Sequence, residues 1–311
     1  MLPLSVVVAT RNNAEWIGQC LDSLLSQRMR NLEILVVDDA STDGSREIVK
    51  NYIARNPDRM RAFYLERQMG VARARDRGIR EARGRFISTL DGDDFLCHPE
   101  KLSRELDLAG SGGENGVRIA AFSGIRRVDA TGNPLPLLPE TPEILEGHIT
   151  DRLLERSCFI PRDFTFNRGL YFKAGGYDPG FPIYEDWDFK VRLSALVEFR
   201  STGIEGIAYR RHGSGLSSRP VPEHLRYLRR GFRRNRTLLP PEQRRRSARE
   251  FRSNLIGLKR RAINDYFEKG NQPGHALIYL MQLKWSGENT PGFQAMWKRL
   301  GKPPSKKNDK S

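Results

Sequence analysis

Three carboxylates crowd into four positions at Asp91-Gly92-Asp93-Asp94, directly after the apolar run Phe86-Ile87-Ser88-Thr89-Leu90. Phe86, Ile87 and Leu90 suit a buried strand, and Gly84 and Gly92 mark where it starts and stops. Ionised carboxylates this close repel one another, so a cation is the natural neutraliser. Hard oxygen ligands favour Mg2+ or Mn2+, which keep positions open for water and substrate phosphates. The competing reading is an acidic turn that caps the following helix. Other polar groups converging on the same place would separate the two.

The flanking elements supply that convergence. Leu4 to Ala9 reads as a buried strand breaking into Thr10-Arg11-Asn12-Asn13, and Trp16, Ile17, Cys20, Leu21, Leu24 and Leu25 then recur at helical spacing. Leu32 to Val37 is a second strand, followed by the polar turn Asp38-Asp39-Ala40-Ser41-Thr42-Asp43-Gly44-Ser45 and a helix through Ile48, Val49, Tyr52 and Ile53. A third strand from Met60 to Leu65 and a helix from Gly70 to Arg83 precede the strand that ends at the carboxylates. This alternation predicts an α/β fold with a doubly wound, mostly parallel sheet flanked by helices, with ligands beyond the carboxyl ends of the strands. Three polar loops then face one crevice. Later, a helix from Pro99 to Leu108 and a strand from Arg118 to Val128 are expected, with a proline-rich loop from Pro134 to Pro142. The turn Gly175-Gly176-Tyr177-Asp178-Pro179-Gly180-Phe181 leads to Glu185-Asp186, at the start of a helix expected to bury Phe189, Leu193 and Leu196. Acidic residues also suit a helix N-terminus for electrostatic reasons alone. Gly206 to Arg211 is a further strand, ending at His212-Gly213-Ser214.

Over roughly residues 1–215 the arrangement resembles the nucleotide-sugar-binding half of the inverting family 2 glycosyltransferases with the GT-A fold. The matching stretches are Val36 to Ser45, Gly70-Val71-Ala72-Arg73-Ala74-Arg75-Asp76-Arg77-Gly78-Ile79, Leu90 to Asp94 and Glu185-Asp186. The resemblance implies transfer of a sugar from a nucleoside-diphosphate sugar, a UDP-sugar in particular, to an acceptor hydroxyl of a glycan or glycolipid. It implies that Thr10, Asn12, Asp38, Asp39, Arg75, Asp91 and Gly92 hold the donor, with Asp39 accepting a hydrogen bond from the base. Arg75 could reach a phosphate or brace Asp91, and Asp91 could bind the ribose. Asp38 and Asp39 could instead cap the next helix. By the same resemblance Asp91, Asp93, Asp94 and His212 hold Mn2+ or Mg2+, and Asp186 is the general base with Glu185 as its neighbour and fallback. Two departures stand out: Arg11 occupies a place where an aromatic is common, and Ala40 replaces a usual glycine. Processive relatives carry Gln-x-x-Arg-Trp soon after the acidic pair, whereas this chain has only the distant Gln282-Leu283-Lys284-Trp285, which points to single additions.

Composition limits the alternatives. The 311 residues are enough for one large or two modest domains, and Cys20, Cys97 and Cys158 form no disulfide or zinc pattern, which suits a reducing, cytoplasmic compartment. No leader pattern precedes Arg11, and the longest late apolar run, Ala276 to Leu283, is too short to span a bilayer. The net charge of +15 is concentrated at one end: residues 1–220 balance 31 basic against 31 acidic side chains, while residues 221–311 carry 22 against 7. The division is therefore a transferase domain over 1–220 and a basic helical region over 221–311, with helices around Leu225 to Phe232, Phe251 to Tyr266 and His275 to Trp285. An anionic membrane surface on the cytoplasmic face would attract that charge. Nucleic acid is disfavoured, because no aromatic platform accompanies the arginines. Two rival classes remain: an aspartate-nucleophile phosphatase, whose Asp-x-Asp sits on the first strand, and a non-catalytic carbohydrate-binding or scaffold protein with a degenerate transferase fold.

Overall fold

A computed structural model describes residues 3–112, 116–136, 145–212 and 219–256. The first half is built on three parallel strands, β1 (Leu4–Thr10), β2 (Leu32–Asp38) and β3 (Met60–Tyr64), with β4 (Phe86–Asp91) on the other side of β1. Every residue of β1 and β2 is buried, because helices cover both faces, as their unbroken apolar runs require. Val6, Val8, Ile34 and Val36 face α1 (Ile17–Leu25) and α2 (Ser45–Arg55), while Val7, Leu35 and Ile87 face α3 (Val71–Glu81). Gly78 makes the α3 contact possible: a Cβ there would lie 2.4 Å from a Val7 methyl. The register pairs Thr10 with Asp38 and Ala9 with Asp91, so the three polar loops leave the sheet at one edge.

The sheet continues as an eight-stranded layer in the order β3-β2-β1-β4-β7-β6-β8-β5. Here β5 is Phe95–Leu96, β6 is Ile119–Val128, β7 is Phe164–Asn167 and β8 is Glu198–Arg210. β7 runs antiparallel to β4 and β6, and β5 antiparallel to β8. Helix α4 (Lys101–Ser111) packs beside β6, and α5 (Thr150–Glu155), α6 (Arg168–Lys173) and α7 (Glu185–Ser194) surround a mainly aromatic core with Phe164, Phe166, Tyr171 and Phe189. β5, β7, α5 and α6 are too short to stand out as periodic runs. α7 stops at Ser194, so Leu196 lies past its end and is exposed rather than buried.

α8 (Val221–Asn235) and α9 (Pro241–Asn254) place Leu225, Leu228, Phe232, Phe251 and Leu255 in the same core as Trp187 and Phe189. Gly231 sits so close that a Cβ would lie 2.4 Å from the Trp187 ring, and Asn235 Nδ2 donates to Asp188 on α7 at 2.8 Å. The expected continuation through Leu258, Ala262, Ile263 and Tyr266, the helix from His275 to Trp285, and most of the proline-rich loop lie outside the described residues. Among the described residues no helix is long and apolar enough to cross a membrane.

Candidate active site

A cavity of about 590 Å³ opens at the carboxyl ends of β1, β2 and β4. Thr10, Asn12, Asp39, Asp91, Asp93 and His212 line it. Asp38, Arg75, Gly92, Asp94, Glu185 and Asp186 stand behind or beside that lining. Asp38 is fully buried and turned away, with Oδ1 held by Arg46 at 2.6 Å and by the Ser41 N–H. Gly92 supports from behind: a Cβ there would meet Thr10 Oγ1 at 2.6 Å. Arg75 is 1% exposed and reaches no ligand space. Asp94 is buried against Arg162 and accepts the Arg210 backbone N–H at 2.8 Å.

The donor end is organised by backbone hydrogen bonds. Asp39 accepts from the N–H groups of Met69 and Gly70 at 2.6 and 2.8 Å, which ties the β2 loop to the start of α3. Asn12 holds a left-handed conformation (φ 52°), receives Thr42 N–H on Oδ1 at 2.8 Å, and donates its own N–H to Ser41 Oγ. Ala40 is also left-handed (φ 57°), which explains why glycine is usual there.

The acidic end is organised by arginines. Arg75 bridges Glu185 Oε1 at 2.6 Å and Asp91 Oδ1 at 2.5 Å, and the Tyr177 ring packs beside it. Arg162 takes the other Asp91 oxygen at 2.7 Å, contacts Asp94 and Asp163, and keeps 22% of its side chain exposed in the cavity wall. Arg210 donates to the Asp93 carbonyl at 2.8 Å and to Gln19. Burial pushes Asp94 and Asp163 up from the usual carboxylate range, with Arg162 only partly opposing it, and burial pushes Glu185 up to about 7 against Arg75. Asp93 is held low: burial opposes, but the His212 hydrogen bond and the Arg162 charge prevail.

These contacts occupy several of the carboxylates. Both oxygens of Asp91 and both of Asp94 are engaged, and among the described residues no cluster of three or more His, Cys, Asp or Glu side chains is arranged around one point. Of the four residues expected to hold an ion, Asp93 and His212 meet directly, with Oδ2 and Nε2 2.9 Å apart at the cavity wall beside Trp16. One carboxylate and one imidazole, completed by substrate phosphates, fit a divalent ion.

Tyr184, in the left-handed conformation (φ 64°), precedes α7, whose first two residues, Glu185 and Asp186, take different partners. Glu185 is 4% exposed and committed to Arg75. Asp186 keeps 23% of its side chain exposed and pairs with Lys190 at 3.0 Å; burial would raise it, but Lys190 and then Arg75 hold it well below the usual carboxylate range. Arg162, Arg210 and Lys190 escaped the sequence reading. Lys190 was findable as the i+4 partner of Asp186, whereas nothing local marks Arg162.

The profile described as glycosyl transferase family 2 matches residues 5–168. TuaG of Bacillus subtilis, provisionally named a teichuronic acid biosynthesis glycosyltransferase, is 33% identical over 46% of this chain and 54% of its own length. Glycosyltransferase GlyG of Streptococcus pneumoniae is 37% identical over 30% of this chain and 31% of its own, so the chain spans about half or less of these relatives. S. aureus TarS, solved with UDP-GlcNAc, superposes with TM-score 0.68 at 20% identity over 89% of this chain and 79% of that one. The Pyrobaculum calidifontis mannosyltransferase PcManGT, solved with GDP-Man and Mn2+, gives 0.60 at 18% identity over 96% and 81%. The fold is the expected GT-A fold, and the chain belongs to glycosyl transferase family 2.

Proposed function

We propose that this protein is an inverting glycosyltransferase that moves a sugar from a nucleoside-diphosphate donor, a UDP-sugar, to an acceptor hydroxyl in the assembly of a surface glycan or glycolipid. One observation carries the reading: Asp39, Asp93 and His212, from three distant stretches of chain, line a single cavity, with Asp186 within electrostatic reach of Arg162 in its wall. The donors bound to TarS and PcManGT support a nucleotide sugar, and the PcManGT ion supports a divalent metal. Asp39, an acceptor at the wall, suits a base that presents an imide N–H, as uracil does. Asp93 and His212 would hold the ion, which offsets charge developing on the departing diphosphate. Arg162 adds a fixed positive charge to the same wall. Asp186, kept ionised by Lys190, takes the acceptor proton as the hydroxyl attacks, while Glu185 positions Arg75 instead of serving as a second base. The phosphatase alternative loses its basis, since the Asp-x-Asp stands on β4. The three cysteines are free, consistent with a cytoplasmic protein.

The test is Asp186→Asn with a panel of UDP-, GDP- and CMP-sugars, with and without Mn2+. Donor binding by thermal shift should survive and transfer should drop about 100- to 10,000-fold, the worth of a general base. Near-normal turnover would remove Asp186 from this role, and no shift with any nucleotide sugar would favour the scaffold alternative.

A further inference from the structure

The outward side of α8, α9 and the turn joining them is a cationic surface of uncommon density. Residues 219–256 carry twelve arginines against three glutamates, and ten of those arginines are exposed. Two of them fasten the helix to the site: Arg230 donates to the Gly180 carbonyl at 2.8 Å and stacks on Phe181, and Arg234 pairs with Asp178. By contrast, Arg229, Arg236, Arg245, Arg246, Arg249 and Arg252 form no ion pair among the described residues. At the turn, Leu238 is 41% exposed beside Arg236, one of few large apolar side chains to face solvent.

Three features select the partner. No exposed aromatic accompanies these arginines, so the stacking platform that single-stranded nucleic acid uses is missing among the described residues. A lone apolar tip within a field of cations is the pattern of an interfacial helix, in which charge meets anionic headgroups and a few apolar groups enter the acyl boundary. The surface also begins at the cavity rim: Arg219, Pro179, Phe181 and Pro182 line the cavity, and Arg230 packs over Phe181, with Arg226 one helical turn away beside Tyr227, whose ring meets Phe181.

We propose that this arginine face, with Leu238 at its tip, rests on an anionic lipid bilayer and turns the cavity mouth toward it, so that the acceptor is presented from the membrane surface. The first part stands on charge and shape alone, and the role of the acceptor rests on the transferase reading above.

The experiment uses the full chain and vesicles of phosphatidylglycerol with phosphatidylcholine, against phosphatidylcholine alone. The protein should co-sediment with the anionic vesicles only, and salt should release it. The triple variant Arg229→Glu, Arg236→Glu, Arg246→Glu alters residues without ion-pair partners, so its melting temperature should hold. Its vesicle partitioning should fall roughly 100-fold or more, at about fivefold for each arginine near the surface. Leu238→Ser should weaken binding by a smaller factor at unchanged charge. A fluorophore on R11C, at the cavity rim, should report the bilayer on vesicle addition, and one on K50C, on α2 across the sheet, should not. Equal binding to neutral vesicles, indifference to the triple variant, or retention on a DNA duplex without vesicle binding would overturn the docking surface. A response at position 50 but not 11 would overturn the orientation. Vesicle binding that survives while no nucleotide sugar binds would leave the surface standing and remove the transferase reading instead.

Discussion

The two ends of the cavity solve the same problem, holding carboxylates still in a buried place, by different means. At the donor end Asp39 is pinned by two backbone N–H groups and Asn12 by loop contacts to residues 41 and 42. At the acidic end Asp91, Asp94, Glu185 and Asp186 are balanced by Arg75, Arg162 and Lys190, with Arg75 and Glu185 110 positions apart. Backbone pinning makes a rigid pocket whose charges are already satisfied. Charge balancing makes a site whose protonation and geometry respond to an added cation or substrate.

Removing charge should separate the two modes most clearly. Arg75→Met leaves Asp91 short of one partner and Glu185 buried with none, and should cost about 3–5 kcal/mol in urea unfolding. A loss below 1 kcal/mol would mean that the acidic end is solvated more like a surface.

Acidity gives the next contrast. Glu185 is raised from 4.5 to about 7 in the folded chain, so the native state binds a proton that the unfolded state has released. The stabilisation is present below about pH 4.5 and is lost as pH rises through about 7, a change of about 3 kcal/mol. Asp94 and Asp163 shift in the same direction. The melting temperature without metal should therefore fall across that window, and Glu185→Gln should flatten the slope. A wild-type curve that rises instead would contradict the charge balance described for this end.

The donor end should respond more mildly. Asp39→Asn places an amide where two N–H groups now meet a carboxylate and should cost about 1–3 kcal/mol, with weaker donor binding and little change in the pH slope. Ala40→Gly should have the smallest effect, a gain of about 1 kcal/mol or less, because relief of the left-handed strain is offset by a more flexible unfolded chain. A clear destabilisation would show that the Ala40 methyl packs usefully.

Legibility followed the same division. The strands and helices of residues 4–91 could be read within two or three residues of their observed ends, because unbroken apolar runs and helical spacing report burial directly. Asp39 and Asp93 stand in the turns just after two readable strands, and the family resemblance gave them their expected roles. Asp38, the last residue of β2, turns to Arg46 and away from its neighbour Asp39, because successive side chains at a strand end point to opposite sides of the sheet, while Arg75 takes the second of its two expected roles and braces Asp91. β7 and β5 were missed because four and two residues carry no period.

Sequence by itself therefore determined the family, the alternating α/β half and the edge where the polar loops gather, since periodicity and turn chemistry are local properties of the chain. Only the tertiary structure decided that Asp91 belongs to two arginines, that Asp93 and His212 meet at the cavity wall, and that α8 and α9 share a core with Trp187 and Phe189. Each of those outcomes depends on a guanidinium or ring arriving from many residues away, and the cost of burying charge acts on distances in space that residue order does not contain.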